Sequence, residues 1–207
     1  MRAAWRCPVA RRTARAARIV RKTRETQIDM TLGLDGPGGA AIRSPVPFLN
    51  HMLELFAAHG GFALRVVARG DTPVDDHHLV EDLGICLGQA LVKALGDKKG
   101  IRRYGHAVVP MDDAQALCAI DISGRPFLRW AYASLGRIKT FDTGLVEEFL
   151  LGFTREAKAT LHVAPLNMGK NAHHNVEAVF KSLGQALGMA VERKGAFRGV
   201  PSTKGLL

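Results

Sequence analysis

The 207-residue sequence predicts an α/β fold of the α+β type in which one unit occurs twice, each half a mixed or antiparallel sheet with two helices packed on one face. Residues 77 to 91 read HHLVEDLGICLGQAL and residues 173 to 187 read HHNVEAVFKSLGQAL, identical at nine of fifteen positions at a constant offset of 96. Each copy follows the same alternation of two-residue and helical periods. The two readings together divide the chain into a basic extension (1–20), a first α/β repeat (21–100) and a second repeat (101–207) ending in a phosphate-binding tail.

The extension carries most of the charge imbalance. The formal charge is +10, but residues 1 to 24 hold nine Lys/Arg and no acid, leaving 20 bases against 19 acids in a nearly neutral body. A basic tail without interleaved aromatic residues is a poor nucleic-acid surface, so no nucleic-acid partner is expected. Its Arg- and Ala-rich composition is shared with organellar transit peptides, yet a disordered extension or a start codon assigned too early ranks above targeting. No apolar run approaches the roughly 18 residues of a membrane span, so no membrane partner is expected. Three widely separated cysteines, Cys7, Cys86 and Cys118, suit a reducing cytoplasm, the last two as core residues.

From Arg21 the chain alternates as a strand and breaks at Asp35-Gly36-Pro37-Gly38-Gly39 before a second short strand, which reads as a hairpin. Pro47 opens a helix with Leu49, Met52, Leu53, Phe56 and Ala57 on one face, and Gly60-Gly61 stop it. FALRVVARG returns to the strand period. Asp75 or Asp76 then caps the helix of the first HHxxE, in which Gly84 and Gly88 permit close helix contact. After Gly100 the order repeats: strand, turn, strand and strand over 105–133, a helix over 145–157, a strand over 159–166, and Lys170-Asn171 leading into the second HHxxE helix.

A histidine pair followed by a carboxylate on one helical turn has the spacing of a metal site. Glu81 shares a face with His77 (i, i+4) or His78 (i, i+3), and Glu177 with His173 or His174. Adjacent histidines diverge by about 100° around the axis, so each pair serves two different ions. Four imidazoles with carboxylates suit an octahedral N/O ion such as Mn²⁺ or Fe²⁺, and the same donors accept zinc. Aligning the first helices of the halves sets His51 opposite Glu148, one further candidate ligand each. His59, His106 and His162 read as structural. Lys181 lies four residues beyond Glu177 on the metal-side face, and Pro201-Ser202-Thr203-Lys204-Gly205 offers hydroxyl, ammonium and amide groups for a phosphate.

Taken together, RKTRET at 21 to 26, FLNHML at 48 to 53, DDHHLVED at 75 to 82, RYGHAVVPMDDA at 103 to 114, DISGRPFL at 121 to 128, KNAHHNVEA at 170 to 178 and PSTKG at 201 to 205 resemble the imidazoleglycerol-phosphate dehydratase family over residues 21 to 207. The resemblance implies a cytoplasmic hydro-lyase of histidine biosynthesis that converts D-erythro-imidazole glycerol phosphate to imidazole acetol phosphate and water. It implies two manganese ions per site, with other divalent ions as substitutes, one on each ring nitrogen of an ionised imidazole. It places metal ligation on His51, His77, His78, Glu81, His173, His174 and Glu177, with Glu148 or its neighbour Glu147 as a further ligand. Phosphate binding falls on Arg103, Arg125, Lys181, Ser202, Thr203 and Lys204, and proton transfer on Glu25, Glu177 or Glu81. Leu55 departs from a polar residue that some relatives carry. The resemblance also implies a symmetric homo-oligomer of about 24 subunits with sites completed between copies. The competing readings are a different dimetal phosphate-ester enzyme and a basic nucleic-acid-binding protein.

Overall fold

A computed structural model describes residues 15–195 and 199–205. The first half comprises β1 (Ala16–Lys22), β2 (Thr26–Gly33), β3 (Gly39–Arg43), α1 (Pro47–Gly60), β4 (Ala63–Gly70) and α2 (His77–Leu95). The second comprises β5 (Tyr104–Met111), β6 (Ala114–Asp121), β7 (Phe127–Trp130), a small ribbon of β8 (Arg137–Ile138) and β9 (Phe141–Asp142), α3 (Leu145–Ala157), β10 (Thr160–Asn167) and α4 (Ala172–Val191). The two sheets have orders β1-β2-β4-β3 and β5-β6-β10-β7. In both, the first three strands are antiparallel neighbours and the last pairs in parallel. Two sheets of identical topology are what the duplicated sequence predicts, with the β8–β9 ribbon as the insertion that sets the second half apart.

The strands alternate because one face of each sheet is covered. Ile28, Met30, Leu32, Leu64 and Val66 point inward and are buried, while Arg18, Val20, Arg65 and Val67 point outward. α1 and α2 cover the first sheet and α3 and α4 the second, so four helices lie between the sheets.

Those helices pair across the halves: α1 packs on α4, and α2 on α3. Glycines set the approach. A β-carbon on Gly88 would lie 2.6 Å from the Phe153 carbonyl oxygen, and one on Gly184 would lie 2.5 Å from that of Phe56, so the backbones touch where side chains would keep them apart. Gly84 and Gly88 meet α3 in ascending order, at Phe149 and then Phe153; Gly184 and Gly188 likewise meet Phe56 and then Gly60. Each pair therefore runs parallel, and its N-terminal turns come together.

Two expectations require correction. The stretch at 35–39 does turn the chain, with positive φ at Gly36, Gly38 and Gly39, but β2 and β3 do not form a hairpin. β3 crosses to the far edge and pairs in parallel with β4, while β2 pairs with β1. Turn residues specify that the chain reverses, not which strand receives it. The extension expected over 1–20 likewise overlaps the folded body. β1 starts at Ala16, its inward positions Ala17 and Ile19 masked in the sequence by surrounding arginines. Arg15 is itself buried: its guanidinium meets Asp35 at 3.0 and 2.7 Å and donates to the Val191 carbonyl at 2.7 Å. Residues 1–14, with Cys7, lie outside the described residues. Cys86 and Cys118 are core residues, as expected, and burial pushes the Cys86 thiol up to about 12.

Gly→Ala within a helix normally stabilises by entropy. At Gly88 the sign reverses, because the new methyl meets backbone. Gly88→Ala is expected to lose about 1–3 kcal/mol in denaturant unfolding through overpacking; an unchanged or raised midpoint would refute the close contact. The side-chain hydrogen bond from Arg15 holds the Asp35 carboxyl down at about 2. A depressed carboxylate stabilises fully above its unfolded value of about 3.9, and that stability is lost as pH falls through about 2. Asp35→Asn should therefore be less stable than the parent at pH 6, with the two thermal midpoints converging toward pH 2.

Candidate metal and substrate site

α4 begins where Asn171 takes over from the extended chain, its side-chain oxygen accepting the His173 N–H at 2.9 Å. From that cap His173, Glu177 and Lys181 follow one another at four-residue spacing along one face. His173 Nε2 lies 3.0 Å from one Glu177 carboxylate oxygen and Lys181 Nζ 2.6 Å from the other. His51, brought from the first turn of α1 by the parallel α1–α4 contact, places Nε2 3.7 Å from the same oxygen as His173. One donor atom from each of His51, His173 and Glu177 falls within 4.8 Å of the others. Phe48, one turn earlier on α1, packs edge-on against the His173 ring at 5.3 Å and limits its rotation.

Electrostatics keep this carboxylate ionised. Glu177 is buried, which raises its pKa, but the hydrogen bond and charge of Lys181, with His173 in support, carry it below the ordinary range. Two imidazoles and one anionic carboxylate are the donor set that an octahedral Mn²⁺ or Fe²⁺ accepts, so these residues fit the implied ion.

The adjacent His174 turns away, its ring 6.4 Å from that of His173 and nearly perpendicular to it. Its Nδ1 meets Asp113 at 2.8 Å and its Nε2 lies 3.6 Å from Asp112, both in the two-residue turn between β5 and β6. The first copy of the motif behaves alike. His78 meets Asp71 through Nδ1 at 3.0 Å, and Nε2 looks toward Glu25 at 4.0 Å from the β1–β2 turn. The Asp71 hydrogen bond raises the His78 pKa against burial. At the head of α2 the Asp75 carboxylate accepts the His77 N–H at 2.8 Å, whereas Asp76 makes no side-chain cap bond.

His77 and Glu148 line a common cleft of about 950 Å³ with Glu147, Asp76 and Arg137. Glu81, however, turns to Arg155 at 3.3 Å. Among the described residues only one three-donor cluster forms, the one at His51, and the expected counterpart of His77, Glu81 and Glu148 is not gathered within this chain.

The expected phosphate ligands form a second, distant group. Arg103 binds Asp121 in bidentate fashion at 2.7 and 3.1 Å and donates to the Pro201 carbonyl at 2.9 Å. That bond, with Gly100 N–H to Gly199 O at 2.9 Å, draws the segment bearing Ser202, Thr203 and Lys204 beside it. Ser202 Oγ accepts the Lys204 N–H at 3.2 Å, and the exposed Arg125 reaches toward Asp121 at 3.9 Å. Lys181 is not in this group; it stands over Glu177 and touches Met111 Sδ at 3.4 Å. Arg103 precedes the first residue of β5 and Met111 is its last. At about 3.4 Å per residue, the strand that separates the arginine group from the histidine cluster is roughly 24 Å long.

Four residues carry weight that the sequence did not reveal. Asp71 and Asp113 engage the second histidine of each pair. Asp112 and Asp113 stood in plain view within a quoted motif, but no spacing rule links them to His174; Asp71 carries no motif at all. Asp82 is buried and accepts from Arg21 at 2.9 Å and from the Thr26 hydroxyl, fastening the turn that bears Glu25 onto α2.

Comparison with known proteins gives a consistent match. Residues 44–187 fit the family model described as imidazoleglycerol-phosphate dehydratase. The enzyme of that name from Geobacillus thermodenitrificans (strain NG80-2) is 54% identical over 195 residues, covering 94% of this chain and 100% of the relative. The Bacillus subtilis (strain 168) enzyme is 53% identical over 194 residues, covering 93% and 100%. Among solved structures, the Staphylococcus aureus subsp. aureus N315 dehydratase shares 39% identity with a TM-score of 0.78 over 86% of this chain and 99% of its own. The Pyrococcus furiosus enzyme, in complex with (S)-C348, gives 39% and 0.80 over 91% and 100%.

Proposed function

Because the chain belongs to the imidazoleglycerol-phosphate dehydratase family, and so is a hydro-lyase at the dehydration step of histidine biosynthesis, we propose that it works with two manganese ions in sites completed by neighbouring copies. The convergence of His51, His173 and Glu177 from both halves of the chain carries this reading. These three hold one ion, and His77, Glu81 and Glu148 contribute to the second, with His78 and His174 as further ligands. When bound, the ions would supply Lewis acidity that lowers the cost of ionising the substrate's imidazole ring.

The chain's own residues do the rest. Arg103, Arg125, Ser202, Thr203 and Lys204 present cations, hydroxyls and amides to the phosphate and fix the glycerol chain relative to the ring. Of the three carboxylates considered for proton transfer, Glu177 is committed to Lys181 and His173, and Glu81 faces Arg155. Among the described residues the one ion-pair contact of Glu25 is with His78, at 4.0 Å, and its side chain is half exposed. Electron release from the ionised ring expels the neighbouring hydroxyl, which leaves as water with the proton the ring gave up; Glu25 then takes the C–H proton to give an enol, whose hydroxyl proton moves to the ring-side carbon as the ketone forms, and Glu25 returns its proton to the ring. The Asp82–Thr26–Arg21 contacts hold the turn from which Glu25 reaches.

A small phosphorylated imidazole cannot span the roughly 24 Å of strand that separates the arginine group from the histidine cluster within one chain. Both ends serve one substrate only if a second copy brings its arginine group to the first copy's histidines. The outer face of the second sheet supports such an assembly, with Tyr104, Val108, Phe127 and Leu166 exposed. The assembly is a homo-oligomer of about 24 chains. Among the described residues no helix is long and apolar enough to cross a membrane.

Product formation from imidazole glycerol phosphate, measured after chelation and again after adding Mn²⁺, tests the reading. Turnover should vanish on chelation and return with the ion; full activity in stripped protein, or none in the reloaded enzyme, would defeat it. Glu25→Gln should lower kcat by about 10²- to 10⁴-fold while retaining bound manganese.

A further inference from the structure

Each half presents two adjacent histidines, and only the second of each pair meets a carboxylate through Nδ1: His78 with Asp71 at 3.0 Å and His174 with Asp113 at 2.8 Å. From this geometry we infer that Asp71 and Asp113 are positioning residues, which hold the Nδ1–H form of His78 and His174 and so leave each Nε2 unprotonated as a metal donor, that of His174 lying 3.2 Å from the Asn171 side-chain amide nitrogen. The inference rests on the proposed metal function and assigns these two aspartates a part in it.

Two observations carry it beyond a pair of surface ion contacts. The first is where the partners come from. The histidines are copies of one another, but the aspartates are not. Asp71 lies in the connection from β4 to α2, and the residue at the same offset in the second half is Asn167. Asp113 lies in the β5–β6 turn, and the turn in the same place in the first half bears Glu25, which faces Nε2 of His78 rather than Nδ1. The same bond to the same ring nitrogen has thus been made from non-corresponding segments, which a contact merely inherited through duplication would not show.

The second is that Asp113 is itself anchored. Its other carboxylate oxygen accepts the Lys170 N–H at 2.6 Å, and its carbonyl accepts from Asn167 Nδ2 at 2.7 Å. The position equivalent to Asp71 has become a residue that holds Asp113 in place.

The chemistry follows from the two-nitrogen character of imidazole. A neutral ring carries one proton, and a carboxylate at Nδ1 fixes it there, leaving Nε2 unprotonated and more basic. His173 is arranged the other way, with Nε2 already in the Glu177 cluster, so the two members of a pair face different directions.

The test uses the full chain labelled with ¹⁵N-histidine, freed of metal and held at a pH where imidazoles are neutral. Solid-state NMR of the parent protein should show two rings protonated at Nδ1. Asp71→Ala and Asp113→Ala should each return one ring to the Nε2–H form. Each should also weaken Mn²⁺ binding in equilibrium dialysis by about 10- to 100-fold, and Asp113→Glu should recover part of that loss where Asp113→Asn does not. Because the ring assignment is read in the parent as well, it stands even if a variant folds poorly. Parent-like Mn²⁺ affinity and unchanged ring protonation in both alanine variants would overturn the positioning role while leaving the metal function intact. A parent protein that binds no Mn²⁺ would overturn both.

Discussion

The carbonyl oxygens of Phe56 and Phe153 stand 2.5 and 2.6 Å from where β-carbons on Gly184 and Gly88 would have to be. This backbone contact lets α1 lie against α4 and α2 against α3, each pair parallel and each joining the two halves. Parallel packing aligns the helix N-termini, so the first turn of α1 arrives beside the first turns of α4. This brings His51 to His173 and Glu177. Lys181, with His173, then keeps the Glu177 carboxylate ionised in that place.

The duplicated plan has been put to unequal use. Both halves keep the sheet order, the helix pair and the histidine tips. Around the second motif Glu177 is drawn into a compact cluster by Lys181; around the first, Glu81 has Arg155, and α3 offers Glu148 where α1 offers His51. One chain thus gathers one centre and leaves the other open beside a cleft. The arginine group lies at the far end of β5, and this separation is what the proposed pairing with a neighbouring copy answers.

The sequence displayed some of this directly. Helices were legible because apolar residues recur with the helical period and are punctuated by Pro47, Gly61 and Asn171. The candidate cluster was legible in part because the spacing of HHxxE has a stereochemical meaning and occurs twice, and His173 and Glu177 do share it with His51. β1 was hidden because Arg15, Arg18 and Arg21 in and beside it made the segment look like a tail. The strand pairing of β3 was hidden because glycine-rich turns encode a reversal without a destination. Gly84 and Gly88 announced a close helix contact but not its partner, and Asp71 reaches His78 only once β4 and α2 are folded together. What remained illegible is in each case a long-range meeting of residues that carry no local signature.

Anomalous diffraction from crystals of the manganese-loaded protein, recorded on either side of the Mn absorption edge, addresses the cluster most directly. A peak within bonding distance of the imidazole nitrogens of His51 and His173 and of the Glu177 carboxylate, with Arg103 of another copy facing it, is the expected result. Density that avoids this cluster, or none at all while Lys181 keeps its contact with Glu177, would contradict it.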